Sequence, residues 1–344
     1  MQDILARLLA GETLPESEAA RAFEFVLTGR ANESQVGAML ALIAVRGPAL
    51  DELVGGARVM RAHATRVPVP DAIRDRVIDT CGTGGTAKTF NISTGAAIVA
   101  AGARGTDSER VYVAKHGGRS RSGRGSAEIL QALGVNVDAP APVQSRCLEE
   151  AGVCFSFAVN HHPAMKFAAG PRKSLGFPTI FNLLGPLTNP AGAARQLMGV
   201  YDERALELVA QTLARLGCAR AMVVRGEDGM DELSTCAPTR VVHVEGASVR
   251  TETFDARSLG FARATHEELA ARDLDEAARL LRSIVTNAHA GPERDIVVLN
   301  AGAALVVGGA AETVEAGVEL ATRSIEGGGA AEALDTLARV SNTP

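Results

Sequence analysis

The 344-residue chain has no tryptophan and only two tyrosines, and aromatic residues make up 3% of it. A stacking platform of interleaved aromatics for single-stranded nucleic acid is therefore not expected. Nor is there an excess of basic residues. Lys and Arg number 35 against 40 Asp and Glu, a formal net charge of −5, which argues against a non-specific nucleic-acid binder. The five cysteines, Cys81, Cys147, Cys154, Cys218 and Cys236, contain no C-x-x-C pair. They read as reduced thiols of a cytoplasmic protein rather than a disulfide or zinc framework. No apolar run approaches the ~20 residues of a membrane span. Met1-Gln2-Asp3-Ile4-Leu5 lacks the basic start and apolar stretch of a signal peptide, so none is expected.

What is present is ordinary globular composition, 46% hydrophobic and 22% charged, in a chain long enough for a large core. The first part reads as helices. Ile4, Leu5, Leu8 and Leu9 share one face. Ser17 is placed to cap a helix through Ala22, Phe23, Val26 and Leu27. Ser34 is placed to cap another through Met39 and Ile43, and Leu50 to Arg61 forms one more. Pro68 and Pro70 mark a linker. Beyond it, short apolar runs at 77–80, 111–114, 135–137, 153–159, 221–224 and 241–244 read as strands. They alternate with helices such as 93–103 and 126–133. The expected fold is a small all-helical domain plus a large α/β domain, with a mainly parallel central sheet covered by helices. The boundaries expected are 1–68, joined by a later segment near 170–190, and 75–344.

Three stretches carry candidate chemistry. Gly82-Thr83-Gly84-Gly85 follows a strand, and Asn91-Ile92-Ser93-Thr94 then opens a helix. Glycines admit an anion close to backbone N–H groups, and a helix N-terminus adds unpaired N–H groups and a favourable dipole. A phosphate site is expected there, although the spacing is neither a P-loop nor a Rossmann fingerprint. The second stretch, Lys115 to Ser126, puts Lys115, Arg119, Arg121 and Arg124 among glycines after another strand, and reads as a second anion cradle. The third is Asp231-Glu232, after the apolar Ala221 to Val224. Adjacent carboxylates at a strand exit suit magnesium, which prefers oxygen ligands. His161-His162 has no partners at zinc-ligand spacing, so zinc is not expected there. Arg172 follows Pro171 at an expected helix start, and taken alone it reads as a surface arginine.

In order along the chain, Gly82-Thr83-Gly84-Gly85, Asn91-Ile92-Ser93-Thr94, Lys115-His116-Gly117, His162-Pro163-Ala164-Met165, Asn182 to Pro190 and Asp231-Glu232 resemble the motifs of the anthranilate phosphoribosyltransferases. The likeness runs essentially end to end. It implies a magnesium-dependent homodimer that moves a phosphoribosyl group from phosphoribosyl pyrophosphate to the amine of anthranilate, a step of tryptophan biosynthesis. It implies that phosphoribosyl pyrophosphate meets Gly82, Gly84, Gly85, Thr86, Thr89, Asn91, Ile92, Ser93, Thr94, Lys115, His116, Gly117, Arg119 and Ser126. Anthranilate would meet Gly82, Gly118 and Arg172. Ser93, Asp231 and Glu232 would hold Mg2+, and Lys115 and Arg172 would take part in catalysis. The chain departs from the family pattern at Thr86-Ala87, where Asp-Gly is usual, and at Gly118, where Asn is usual. Those departures also fit a paralogue with another aromatic acceptor. The phosphate cradles alone also fit a nucleic-acid-binding relative, against which the net charge and the Asp231-Glu232 pair count.

Overall fold

The computed structural model describes residues 1–84, 89–105, 110–120 and 123–343. Gly85, Thr86, Ala87, Arg121 and the 106–109 connection lie outside them. Four helices come first: α1 (Gln2–Leu9), α2 (Glu16–Leu27), α3 (Glu33–Arg46) and α4 (Leu50–Ala62). Their starts differ from expectation in two places. The α2 helix begins after Pro15, whose carbonyl takes the Ala19 amide at 2.9 Å, so Ser17 lies within the first turn and does not cap it. Proline suits this position because its fixed φ matches a helix entry. The α3 helix is capped by Asn32, not Ser34. Asn32 Oδ1 accepts the Gln35 amide at 2.9 Å and Gln35 Oε1 accepts the Asn32 amide at 3.2 Å, a reciprocal pair that fixes the start two residues early.

The central sheet is built from β1 (Val77–Gly82), β2 (Tyr112–Gly117), β3 (Val153–Phe157), β4 (Arg195–Gly199), β5 (Arg220–Gly226), β6 (Thr239–Glu245) and β7 (Ser248–Phe254). The order is β3-β2-β1-β4-β5-β6-β7. The first five are mutually parallel, and β6 and β7 continue antiparallel at one side. Residues 135–137 do not form a strand. Gly134 turns the chain at φ +90°, Asn136 Oδ1 accepts the Asp138 amide at 3.1 Å, and the Asn136 amide goes to Ser341 Oγ at 3.0 Å. With those groups engaged, no ladder can form. The 153–159 run is shorter than expected, since the chain turns into a short helix after Phe157.

Helices α5 (Ile92–Gly102), α6 (Ser126–Ala132), α7 (Ala141–Ala151), α8 (Ala158–His161), α9 (Lys166–Leu175), α10 (Ile180–Leu184) and α11 (Ala205–Arg215) connect the strands. The chain closes with α12 (Leu274–Val285), α13 (Pro292–Gly308), α14 (Val314–Glu326) and α15 (Gly329–Ser341). The α5 helix is apolar on every side and buried along its whole length after Ser93, as such a helix must be. It packs between the sheet and α13, α14 and α15. The α13–α14 pair approaches through Gly302 and Gly317, where a Cβ on either would strike the other's backbone.

Two cores share the sheet. On one face α5, α6, α7, α12, α13, α14 and α15 pack. On the other, α1–α4, α9, α10 and α11 form a second core. β5 alternates between them: Met222 and Val224 enter the first, Ala221 and Val223 the second. Within the second core Glu52 is fully buried. Its carboxylate accepts the Leu14 amide at 3.0 Å and the Ala49 amide at 2.9 Å, and Arg46 pairs with it at 2.5 Å.

Candidate active site

The carboxyl ends of the parallel strands are where open α/β sheets bind ligands. Here β1, β2, β4 and β5 all end in glycine, at Gly82, Gly117, Gly199 and Gly226, and Gly82 pairs directly with Gly199. The reason is steric. The loop after β5 folds back over this edge and seats Asp231 on it. A Cβ at Gly82 would lie 2.5 Å from Asp231 Oδ2, and one at Gly199 would overlap the Asp231 carbonyl. The carboxylate also accepts the Gly84 amide at 3.2 Å, and Gly84 has φ +65°. A segment 147 residues away thus completes the first glycine loop. Thr83 is fixed from both sides, its amide donating to Gly199 O and its hydroxyl accepting the Tyr201 amide, both at 3.0 Å.

Asn91 precedes α5 in the left-handed region at φ 69°, and its side-chain amide donates to Arg124 O at 3.1 Å. That bond ties the entry of α5 to the 115–126 stretch. Asn91 Oδ1 and the Thr94 hydroxyl are buried at the helix entry without hydrogen-bond partners among the described residues. Ile92 is fully buried and anchors the turn. Thr89 bridges to Ala270, and Arg124 donates to the carbonyl of Ala271, so the segment before α12 backs this corner.

Lys115 lies on β2 and is almost fully buried. Its ammonium donates to Thr80 O at 2.6 Å and to Ser93 Oγ at 3.2 Å. Burial pushes its pKa down, while Asp79, Cys81, Glu232 and Asp231 pull it back up. Glu232 is half-buried, and burial and then the Asp231 charge hold its carboxyl well above the usual range. Two carboxylates this close resist joint ionisation unless a cation joins them. The donors are hard oxygens, with Ser93 Oγ beside them, so Asp231, Glu232 and Ser93 fit magnesium.

The described cations of the basic stretch do not gather into one cluster. Arg119 is exposed, donates to Gln131 Oε1 at 3.0 Å and stacks 5.4 Å from the Phe157 centroid. Among its described cations, Lys115 is the one whose contacts reach Ser93. Ser126 begins α6 with its Cβ and Oγ against Gly117, and the Gly118 carbonyl receives the Ala127 amide at 3.4 Å. His116 and His162 face each other with ring centroids 5.1 Å apart, and the Nε2 of each is buried without a partner among the described residues. Burial lowers their pKa values to about 3 and about 4, with His162 and His161 adding to the first and His161 to the second. Such values keep both rings neutral near pH 7. His161 is instead committed to Gln144 at 2.9 Å and to Thr65 O at 2.7 Å.

Arg172 is not at a helix start. Pro171 lies inside α9, and Arg172 is in its last turn with the guanidinium 5.3 Å from the Phe181 centroid. It therefore belongs to the helical layer. One buried ionisable group beside the site was not singled out from the sequence. Asp79 is fully buried in β1, and its Oδ1 accepts the His116 amide at 3.1 Å. Burial raises its pKa to about 6 against the pull of Asn189 and Lys115. An acid in the middle of a four-residue apolar strand was the signal available.

Helical layer, glycine edge and paired carboxylates together define a transferase of the bundle-plus-α/β type. The family described as "Glycosyl transferase family, helical bundle domain" matches residues 2–64, and "Glycosyl transferase family, a/b domain" matches 74–331. The anthranilate phosphoribosyltransferase of Rubrobacter xylanophilus is 46% identical over 99% of this chain and 97% of its own. That of Anaeromyxobacter dehalogenans is 47% identical over 100% and 99%. The crystal structure of the Thermus thermophilus enzyme superposes with a TM-score of 0.90 at 36% identity, covering 98% of this chain and 99% of that one. The Saccharomyces cerevisiae enzyme in complex with PRPP and Mg shares the fold, with a TM-score of 0.87 at 24% identity over 98% and 96%. The chain belongs to the anthranilate phosphoribosyltransferase family.

Proposed function

We propose that this chain transfers the phosphoribosyl group of phosphoribosyl pyrophosphate to the amine of anthranilate, releasing pyrophosphate. The observation that carries the reading is the meeting of Lys115, Ser93 and the Asp231–Glu232 pair beneath the glycine loop, at the sheet's carboxyl edge. The α5 entry offers its N–H groups and dipole to phosphate oxygens, while the Thr83 and Gly84 amides hold the shape of the glycine loop through Gly199 O and Asp231. Lys115 neutralises negative charge developing on the leaving pyrophosphate, an effect strengthened by its burial. Asp231, Glu232 and Ser93 hold magnesium, which when bound offsets further charge on the same leaving group. Asn91 Oδ1 and the Thr94 hydroxyl supply the acceptor and donor that the ribose and phosphate need. Gly118, just past β2, and Arg172 are the residues for anthranilate, the arginine as a carboxylate clamp. An aniline-type amine is uncharged near neutral pH, so positioning rather than a strong base is required.

The reading includes a cytoplasmic setting, which the five free thiols suit. It includes a homodimer through the exposed face of α1 and α3, where Leu9 and Val45 are 76% and 91% exposed. Its working division is a helical unit, 1–68 with 170–190, and an α/β unit, 75–344. No helix among the described residues is long and apolar enough to cross a membrane.

The test is a steady-state assay with magnesium, phosphoribosyl pyrophosphate and anthranilate, following loss of anthranilate fluorescence. Turnover that disappears in Asp231→Ala and Arg172→Ala supports the reading. Donor binding without turnover would point to another aromatic acceptor, as Thr86 and Gly118 allow. Absence of donor binding would remove the transferase reading.

A further inference from the structure

The loop between β5 and β6 carries a second set of donors on its other side. Asp228, Cys236 and His266 each offer one atom, and the three atoms lie within 4.8 Å of one another. His266 Nε2 is 3.0 Å from Asp228 Oδ2, which also accepts the Ser234 hydroxyl at 2.8 Å. Asp228 Oδ1 accepts the Met230 amide at 3.3 Å. Asp228 lies against Gly226 at the end of β5 but faces the other way from Asp231: Asp231 turns towards Gly84, whereas Asp228 turns towards the segment bearing His266.

The frame around them is fixed by backbone bonds. The Ala264 amide donates to Thr235 O at 3.2 Å, which holds the His266 segment against the Cys236 segment. The Glu227 amide donates to Pro238 O and the Gly226 amide to Met230 O, both at 2.8 Å, closing the loop on itself. Ser234 Oγ accepts the Cys236 amide at 2.9 Å. An Asp–His pair alone would be an ordinary surface ion pair. The thiol in the same reach changes the chemistry, because thiolate, imidazole and carboxylate are together a zinc donor set and a poor magnesium one.

We propose that Asp228, Cys236 and His266 form a site for a zinc-class divalent ion, with a fourth position open to water. Zinc bonds of about 2.0–2.3 Å to N, O and S put tetrahedral donors roughly 3.3–3.7 Å apart. The Asp228–His266 pair is already near that spacing, and the exposed His266 ring is free to adjust. On binding, the Cys236 thiol releases its proton to solvent, and the thiolate and carboxylate together balance the ion's two positive charges. Asp228 and Cys236 flank Asp231 and Glu232 in sequence, so an ion held there and by His266 braces the loop that presents the magnesium carboxylates.

Cobalt(II) is the probe, titrated into the reduced full-length chain with magnesium in excess. The expected result is one equivalent bound with a thiolate-to-cobalt charge-transfer band and tetrahedral visible bands. Cys236→Ser abolishes the charge-transfer band. His266→Ala and Asp228→Asn each weaken binding by about tenfold or more, since even outer-shell changes cost that much. Far-UV circular dichroism and melting confirm that each variant folds, and the two non-cysteine variants stand in should Cys236→Ser not fold. No charge-transfer band in the wild type would overturn the proposal. So would a band that survives Cys236→Ser, since another thiol would then be the ligand.

Discussion

The Lys115 ammonium reaches Ser93 Oγ at 3.2 Å from within the protein, not from the surface. A buried cation on a strand is held by Thr80 O on one side and the helix-entry hydroxyl on the other. In the proposed reaction it would have little freedom to reorganise as charge builds on the leaving group, which is the condition for strong electrostatic catalysis.

Lys115→Met should therefore lower kcat by about 100-fold or more while the chain still folds. Steady-state kinetics beside a thermal melt separates the two effects. A variant that keeps its kcat would show that Lys115 serves only to pair the surrounding carboxylates.

Gly82→Ala tests the seat of Asp231. The added methyl would sit 2.5 Å from Asp231 Oδ2, so the carboxylate must shift. The expected outcome is a raised magnesium requirement with little change in the melting temperature. Gly199→Ala meets the Asp231 backbone instead, which cannot move as easily. That variant should lose stability as well, read as a lower urea midpoint.

The pH dependence of stability follows from His116 and His162. Their folded-state pKa values, about 3 and about 4, lie below the ordinary 6.5. Between these limits the unfolded chain binds more protons than the folded one, so stability falls as pH drops from about 6.5 towards 4. Asp79, raised to about 6, and Glu232, raised to about 8, act in the opposite sense, the first from about pH 6 downward and the second across the upper part of the window and above it. Denaturant midpoints of the wild type and of His162→Gln at pH 7 and pH 5 isolate the histidine share. On acidification the wild type should fare worse than the variant, and an equal change in both would count against burial of neutral imidazoles as a cause.

Glu52→Ala removes the partner of Arg46 and leaves the Leu14 and Ala49 amides unpaired. Breaking one side of such a buried pair costs about 3–5 kcal/mol. Urea unfolding measures it. The double variant Glu52→Met, Arg46→Met should recover part of the loss, because no buried charge is then stranded.

The sequence made some of this legible and hid the rest for physical reasons. Gly82-Thr83-Gly84 and the α5 entry could be read because both functions, tight turn and helix cap, are local. The strands β4 and β7 could not. Arg195-Gln196-Leu197-Met198-Gly199 is short and opens on polar residues, and Ser248 to Phe254 has no apolar face because it is an exposed edge. Asp79 hid inside an apolar run. Contacts such as Asp231 to Gly84, or Cys236 to His266, depend on how distant loops close, which no local pattern records. Pro171 misplaced Arg172 because proline more often begins a helix than interrupts one.

β5 has a consequence for how the molecule comes apart. Its alternate residues belong to opposite cores, so the helical layer cannot detach without exposing Ala221 and Val223 to water. The two halves are then bound into one cooperative unit rather than two independent melters. Amide protons along 221–224 should be among the last to exchange with deuterium, at a rate that reports global opening of the chain.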